Sequence, residues 1–185
     1  MKKLIMFAAC VVFAAMTQAA SVGWSVATGS TSYANDVYQI FVIGQNGVSS
    51  IATITALLDA GSDTSSYAFG NGQLAANGSQ TVTAASSGKT LGAGTYEAFV
   101  ILFDSASPAS ASDNYVILSG QANLTKTIAA TTANVVFATG SVADVVNNAD
   151  NWKSFGPSSG GVPEPTSGLL LLVGAGMLAL RRKQK

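Results

Sequence analysis

The sequence predicts a mainly-β domain, an antiparallel β-sandwich with one or two short helices, set between two apolar end segments. Three observations carry this reading. Between residues 20 and 156, short runs of β-branched and aromatic residues are separated by clusters of Gly, Asn, Asp and Ser, the pattern of strands and turns. The strongest run, residues 96–103, is apolar on both faces and so reads as a central strand covered on both sides. Each end of the chain is a dense apolar block flanked by basic residues.

The strands follow in order. Residues 22–27 alternate, with Val22, Trp24 and Val26 on one face. Residues 37–43 are nearly all apolar, and Gln45-Asn46-Gly47 then turns the chain. Residues 115–118 and 133–138 are further strands, and residues 80–84 and 121–128 are weaker ones that alternate polar with apolar positions. Two segments leave this rhythm. Residues 50–60 place Ile51, Ile54, Thr55 and Leu58 at helical spacing, with Ser49 or Ser50 as N-cap and Gly61 past the end. The Ile and Thr content also suits a strand, but helix is the favoured reading. Residues 141–155 set Ser141 and Asp144 at capping-box spacing and Val142, Val145, Val146, Ala149 and Trp152 on one face, which predicts a second helix stopped by Gly156-Pro157. Residues 157–162 form a Gly/Ser linker.

Residues 1–19 read as a secretory signal peptide. Lys2 and Lys3 supply the positive start, residues 4–16 the apolar run, and Thr17 and Ala19 the small residues that direct cleavage before Ala20. The other end, residues 163–185, has three parts: the rigid Pro163-Glu164-Pro165, an uncharged apolar run over 168–180, and the basic Arg181-Arg182-Lys183-Gln184-Lys185. A helix over the 13 residues of that run spans about 20 Å, short of the roughly 30 Å hydrocarbon core of a bilayer. Snorkelling of the basic residues lets it insert as a transmembrane sorting helix, and their charge holds the C-terminus in the cytoplasm with the domain outside.

The tripeptide, the apolar run and the terminal Arg181-Arg182-Lys183 together resemble the PEP-CTERM sorting signal of exported proteins from two-membrane bacteria. The resemblance covers only the last 24 or so residues. It implies an inner-membrane intermediate and recognition by an exosortase, a membrane cysteine protease that cuts near the tripeptide. Release or transfer to the cell surface or extracellular matrix follows. It also implies a host that secretes exopolysaccharide, which makes that polymer a candidate partner. The Sec machinery is the export partner expected from the first 19 residues.

Composition excludes several chemistries. The chain has no histidine, and its one cysteine, Cys10, lies in the leader. A Ser-His-Asp triad is therefore impossible, and a His/Cys zinc site has no ligands in residues 20–156. No catalytic residue, cofactor or metal ligand is assigned. Residues 20–162 hold three lysines against eight carboxylates, a net charge of −5, the wrong sign for a nucleic-acid footprint. Asp36, Glu97 and Asp104 are the carboxylates from which a glycosidase pair would be drawn. The strings 59–63 and 147–150 offer oxygen ligands but lack the spacing of a dedicated calcium loop and read as turns. The expectation is a non-enzymatic structural or interaction domain on an exported surface or matrix protein. A carbohydrate-binding module that uses some of the Tyr and Trp side chains is the alternative, and a secreted hydrolase the second alternative.

Overall fold

A computed structural model describes residues 18–106 and 113–156. The ten strands are β1 (Ala20–Ala27), β2 (Val37–Val42), β3 (Gly70–Gln73), β4 (Ser79–Val82), β5 (Lys89–Leu91), β6 (Gly94–Phe103), β7 (Asn114–Leu118), β8 (Thr125–Ile128), β9 (Asn134–Ser141) and β10 (Lys153–Ser154). Three short helices join them: α1 (Ile51–Asp59), α2 (Ala84–Ser87) and α3 (Ala143–Val146). The strands make two sheets, of four and six strands, and the described residues are a mixed α/β domain rather than a purely β one.

In the smaller sheet β1 is central. β4 and β5 pair one after the other along one flank, antiparallel, and β9 runs parallel along the other. In the larger sheet the order is β10-β7-β6-β2-β3, with β8 continuing against the start of β6. The expected central strand, β6, has antiparallel neighbours on both sides, and every residue from Ala98 to Phe103 is buried.

Alternation along β2, β6 and β7 explains why both faces of the larger sheet are apolar. Tyr38, Ile40, Val42, Ala98, Val100, Leu102, Val116 and Leu118 point to one side and share a core with Val22, Trp24, Val26 and Phe137 of the smaller sheet. Phe41, Phe99, Ile101, Phe103 and Tyr115 point to the other and are covered by Ile54 and Leu58 of α1, with Val48 and Phe155. The domain thus has three layers and two cores. Helix α1 forms as the sequence predicts. Ser50 Oγ accepts from the Thr53 amide, and Gly61 takes a left-handed φ of +70° past the end.

Three expectations need correction. The sheets are not wholly antiparallel, because β9 reaches β1 only after crossing from the larger sheet and arrives parallel to it. Among the described residues the helices number three, not one or two, since residues 84–87 coil over Gly23, where a Cβ would lie 2.5 Å from the Val82 carbonyl. The helix predicted over 141–155 ends after one turn. Val142, not Ser141, is the N-cap and makes no side-chain bond. The chain then runs through a 3-10 turn (Ala149–Asn151) into β10. The indole of Trp152 folds back instead of continuing the helix face: its Nε1 donates to the Val146 carbonyl at 2.7 Å, and Tyr33 Oη donates to the same oxygen at 2.6 Å. The two rings stack with centroids 5.6 Å apart. Those bonds satisfy a carbonyl that a longer helix would have used.

Candidate functional site

Of the residues assigned to export and sorting, Ala19 and Ala20 fall among the described residues. Ala20 is the first residue of β1 and fully buried, while Ala19 is exposed. Thr17, the apolar run 4–16, Pro163, Glu164, Pro165, the apolar run 168–180 and the basic Arg181, Arg182 and Lys183 lie outside them. Among the described residues no helix is long and apolar enough to cross a membrane.

Of the three carboxylates considered for glycosidase chemistry, Glu97 stands apart. Glu97 stands on β6 opposite Thr125, seven residues along the extended chain from Asp104, or roughly 23 Å at about 3.3 Å per residue. That exceeds the roughly 5–10 Å that such a pair requires. Asp36 and Asp104 do approach, because the β2–β6 register that pairs Tyr38 with Leu102 continues to set them opposite each other. Asp104 is committed to closing the β6–β7 connection: its Oδ1 accepts from the Asn114 amide at 2.6 Å and its Oδ2 from Asn114 Nδ2 at 2.9 Å. Burial, and then the Asp104 charge, push the Asp36 carboxyl up from its ordinary 3.8 to about 6.

This gives a pH prediction. The folded state holds the Asp36 proton more tightly than the unfolded chain does, so stability from this group rises as pH falls from about 7 through 6 towards 4. Above pH 6 the charged carboxylate is a cost of about 1 kcal/mol once solvent screening of this partly buried group is allowed for. Asp36→Asn removes that cost. In thermal melts the variant is expected to exceed the parent by a few degrees at pH 8 and to match it near pH 4. A parent whose melting temperature is flat between pH 8 and 5 contradicts this.

The strings with calcium-like oxygen content are turns and braces. Asp63 accepts from the Ser65 amide and hydroxyl, both at 2.8 Å, and these bonds hold its carboxyl below the ordinary value. Asn148 caps the turn before Asn151 by accepting from the Asp150 amide. Asp59 Oδ1 accepts from Tyr115 Oη at 2.6 Å, tying the end of α1 to the larger sheet. Burial and this carboxylate raise the Tyr115 phenol. Among the described residues no three His, Cys, Asp or Glu side chains gather as a metal site.

The aromatic side chains build the core more than they present a platform. Trp24 is 4% exposed and Phe69 is 5% exposed. Tyr38 and Tyr115 are fully buried. One feature has no counterpart in the sequence pattern, a shallow groove along β3. Two depressions of about 430 and 400 Å³ adjoin there and share Ser65 and Asn71. Gln39 and Gln73 border the first, and Lys89, whose Nζ sits 5.8 Å from the Phe69 ring centre, borders the second. The low strand propensity of Gly70-Asn71-Gly72-Gln73 hid β3, which exists because its glycines make room for Trp24 and Tyr38.

These features define a two-sheet domain over the described residues. A PEP-CTERM protein-sorting motif is present at residues 161–184, spanning Pro163-Glu164-Pro165 through Arg181, Arg182 and Lys183. The motif implies processing at the C-terminus by an exosortase and delivery to the cell surface or extracellular space. Neither the curated proteins nor the solved structures contain a match to the chain.

Proposed function

We propose that this is an exported, exosortase-sorted cell-surface or extracellular-matrix protein whose domain, residues 20–156, is a β-sandwich acting as a structural or interaction module and not as an enzyme. The observation that carries the reading is the sorting motif at 161–184, placed directly behind a domain whose last described strand ends at Ser154. In this scheme the Sec machinery exports the chain and the signal peptide is cut after Ala19. The start of β1 at Ala20 supports that position, since cleavage there leaves the whole strand on the mature domain. The tail 163–185 then holds the chain in the inner membrane, basic end inside, until the exosortase cuts near Pro163-Glu164-Pro165.

The hydrolase reading loses the Glu97–Asp104 pair, which stands seven residues apart along an extended chain, and in the Asp36–Asp104 pair Asp104 is already bonded to Asn114. The carbohydrate-binding reading, with exopolysaccharide as ligand, would now rest on the polar groove along β3 rather than on the buried aromatics.

The test of the sorting scheme is location. A chain tagged between residues 119 and 121 is expressed in a host with an exosortase and followed by fractionation and surface labelling. The intact chain is expected at the surface or in the medium. Replacing Pro163, Glu164 and Pro165 by alanine is expected to hold it in the inner membrane. Equal distribution of the two chains contradicts the scheme.

A further inference from the structure

Gln39 is an uncommon residue for the middle of an apolar strand. It lies on β2 between Tyr38 and Ile40, and its side chain is only 5% exposed. Its Oε1 accepts from Thr64 Oγ1 at 2.6 Å, while its Nε2 donates to none of the described residues. A buried amide nitrogen with no partner would be costly, and among the described residues no side-chain nitrogen or oxygen is sealed in without one. The Nε2 therefore opens into the depression of about 430 Å³ that Gln39 lines. Register sets Asn71 of β3 directly opposite Gln39, and Gln73 directly opposite Val37. These cross-strand neighbours share one face of the sheet. Asn71 is exposed, and its amide bonds to none of the described residues. Gln73 donates through Nε2 to the Ala106 carbonyl at 2.9 Å, which leaves its Oε1 as an acceptor. Asp63 and Ser65, from the turn that precedes β3, close the remaining side.

We infer that this depression binds a neutral, hydroxyl-rich ligand, an uncharged oligosaccharide segment, through the amides of Gln39, Asn71 and Gln73 and the carboxylate of Asp63. The inference deepens the carbohydrate reading of the β3 groove and rests on the domain being an interaction module. The lining selects the ligand class. An amide sets a donor beside an acceptor, and a sugar hydroxyl both donates and accepts, so it satisfies either end. An anion is the wrong match: no cation lines this depression, and the bonds from Ser65 keep the Asp63 carboxyl ionised at neutral pH. A bare metal ion is also a poor match, because Asp63 is the one carboxylate in the lining and both its oxygens already accept from Ser65. An extended peptide needs pockets for alternate side chains, and Val37 is the one hydrophobic side chain in the lining. The shape favours a chain over a single sugar, since the depression adjoins the second one of about 400 Å³ through Ser65 and Asn71.

Nitrogen–proton NMR on the full chain in detergent tests it. The probes are maltotetraose, cellotetraose, xylotetraose and mannotetraose, each titrated to about 20 mM. Tetragalacturonate, inorganic phosphate and a neutral hexapeptide serve as the charged and peptide comparisons. At least one neutral chain is expected to bind with a Kd of about 1 mM or tighter and to shift the side-chain amide signals of Gln39 and Asn71. Asn71→Ala, at an exposed position, is expected to weaken that binding about tenfold or more with an unchanged melting temperature. Thr81→Ala, exposed on β4, is expected to leave it unchanged. Four results would overturn the inference: no neutral chain binds, binding shifts only signals away from this depression, Asn71→Ala binds as the parent does, or an acidic or peptide probe binds here more tightly than every neutral chain. Any of these leaves the sorting scheme untouched, because that scheme is read from the location of the chain.

Discussion

Trp24→Ala is expected to lower the unfolding free energy by about 4 kcal/mol, as measured by urea denaturation followed by circular dichroism. Three contributions converge on this side chain. Trp24 sits on the inner face of β1 and is almost wholly buried, so its removal opens a cavity between the two sheets. Its Nε1 donates to Tyr38 Oη at 3.1 Å, and the variant leaves that buried hydroxyl without its donor. Its ring meets Phe69 edge-on at 6.5 Å and lies over Gly70, where an added Cβ would stand 2.4 Å from Cζ2. Trp24→Phe keeps most of the volume and is expected to lose about 2 kcal/mol. Gly70→Val is expected to cost about 3 kcal/mol by forcing β3 away from the indole. Combined with Trp24→Ala, the valine fills part of the cavity, so the double variant loses less than the sum of the two. Additive losses would mean that Trp24 and Gly70 do not pack as described.

Phe99→Ala is expected to cost about 4 kcal/mol as well, through the other core. Phe99 is fully buried on the face of β6 that looks towards α1, and its ring stacks on Phe41 at 5.1 Å with 13° between the planes. Because α1 is held on this face mainly by Ile54 and Leu58, the cavity also loosens the helix. Amide exchange in residues 51–60 is therefore expected to accelerate more than exchange in β1 or β9. A loss under about 1 kcal/mol, or exchange that rises equally in every strand, contradicts the division into two cores.

The two variants probe elements that differed in how plainly the sequence announced them. β6, β2 and β7 were legible because a strand buried on both faces must be apolar throughout, and few other structures demand such runs. α1 was legible from Ser50 and the spacing of Ile54 and Leu58. The pairing of β9 with β1 joins residues more than a hundred positions apart, and nothing in either strand's local pattern specifies the parallel direction. β3 was hidden because its glycines are chosen for what they make room for. The segment 141–155 misled because Val142, Val145 and Val146 do follow a helical period. What ends the helix is a contact with Tyr33, over a hundred residues away.

The candidate sites divided the same way. A sorting signal is read by a processing enzyme as a contiguous string, so Pro163-Glu164-Pro165 and the basic residues behind it were legible directly and fall within the matched motif. The carboxylates were legible only as residue types. That Asp36 faces Asp104 while Glu97 stands far from both follows from strand register, which is set by the whole sheet. The groove along β3 is likewise a product of assembly.

The central claim, that residues 163–185 are an address removed after use, is tested most directly by the intact mass of the protein recovered from the cell surface of a host with an exosortase. The account predicts a chain that begins at Ala20 and ends at or near Pro163-Glu164-Pro165, with or without an added surface group, and lacking Arg181, Arg182 and Lys183. A surface protein whose mass still includes residues 168–185 would contradict it.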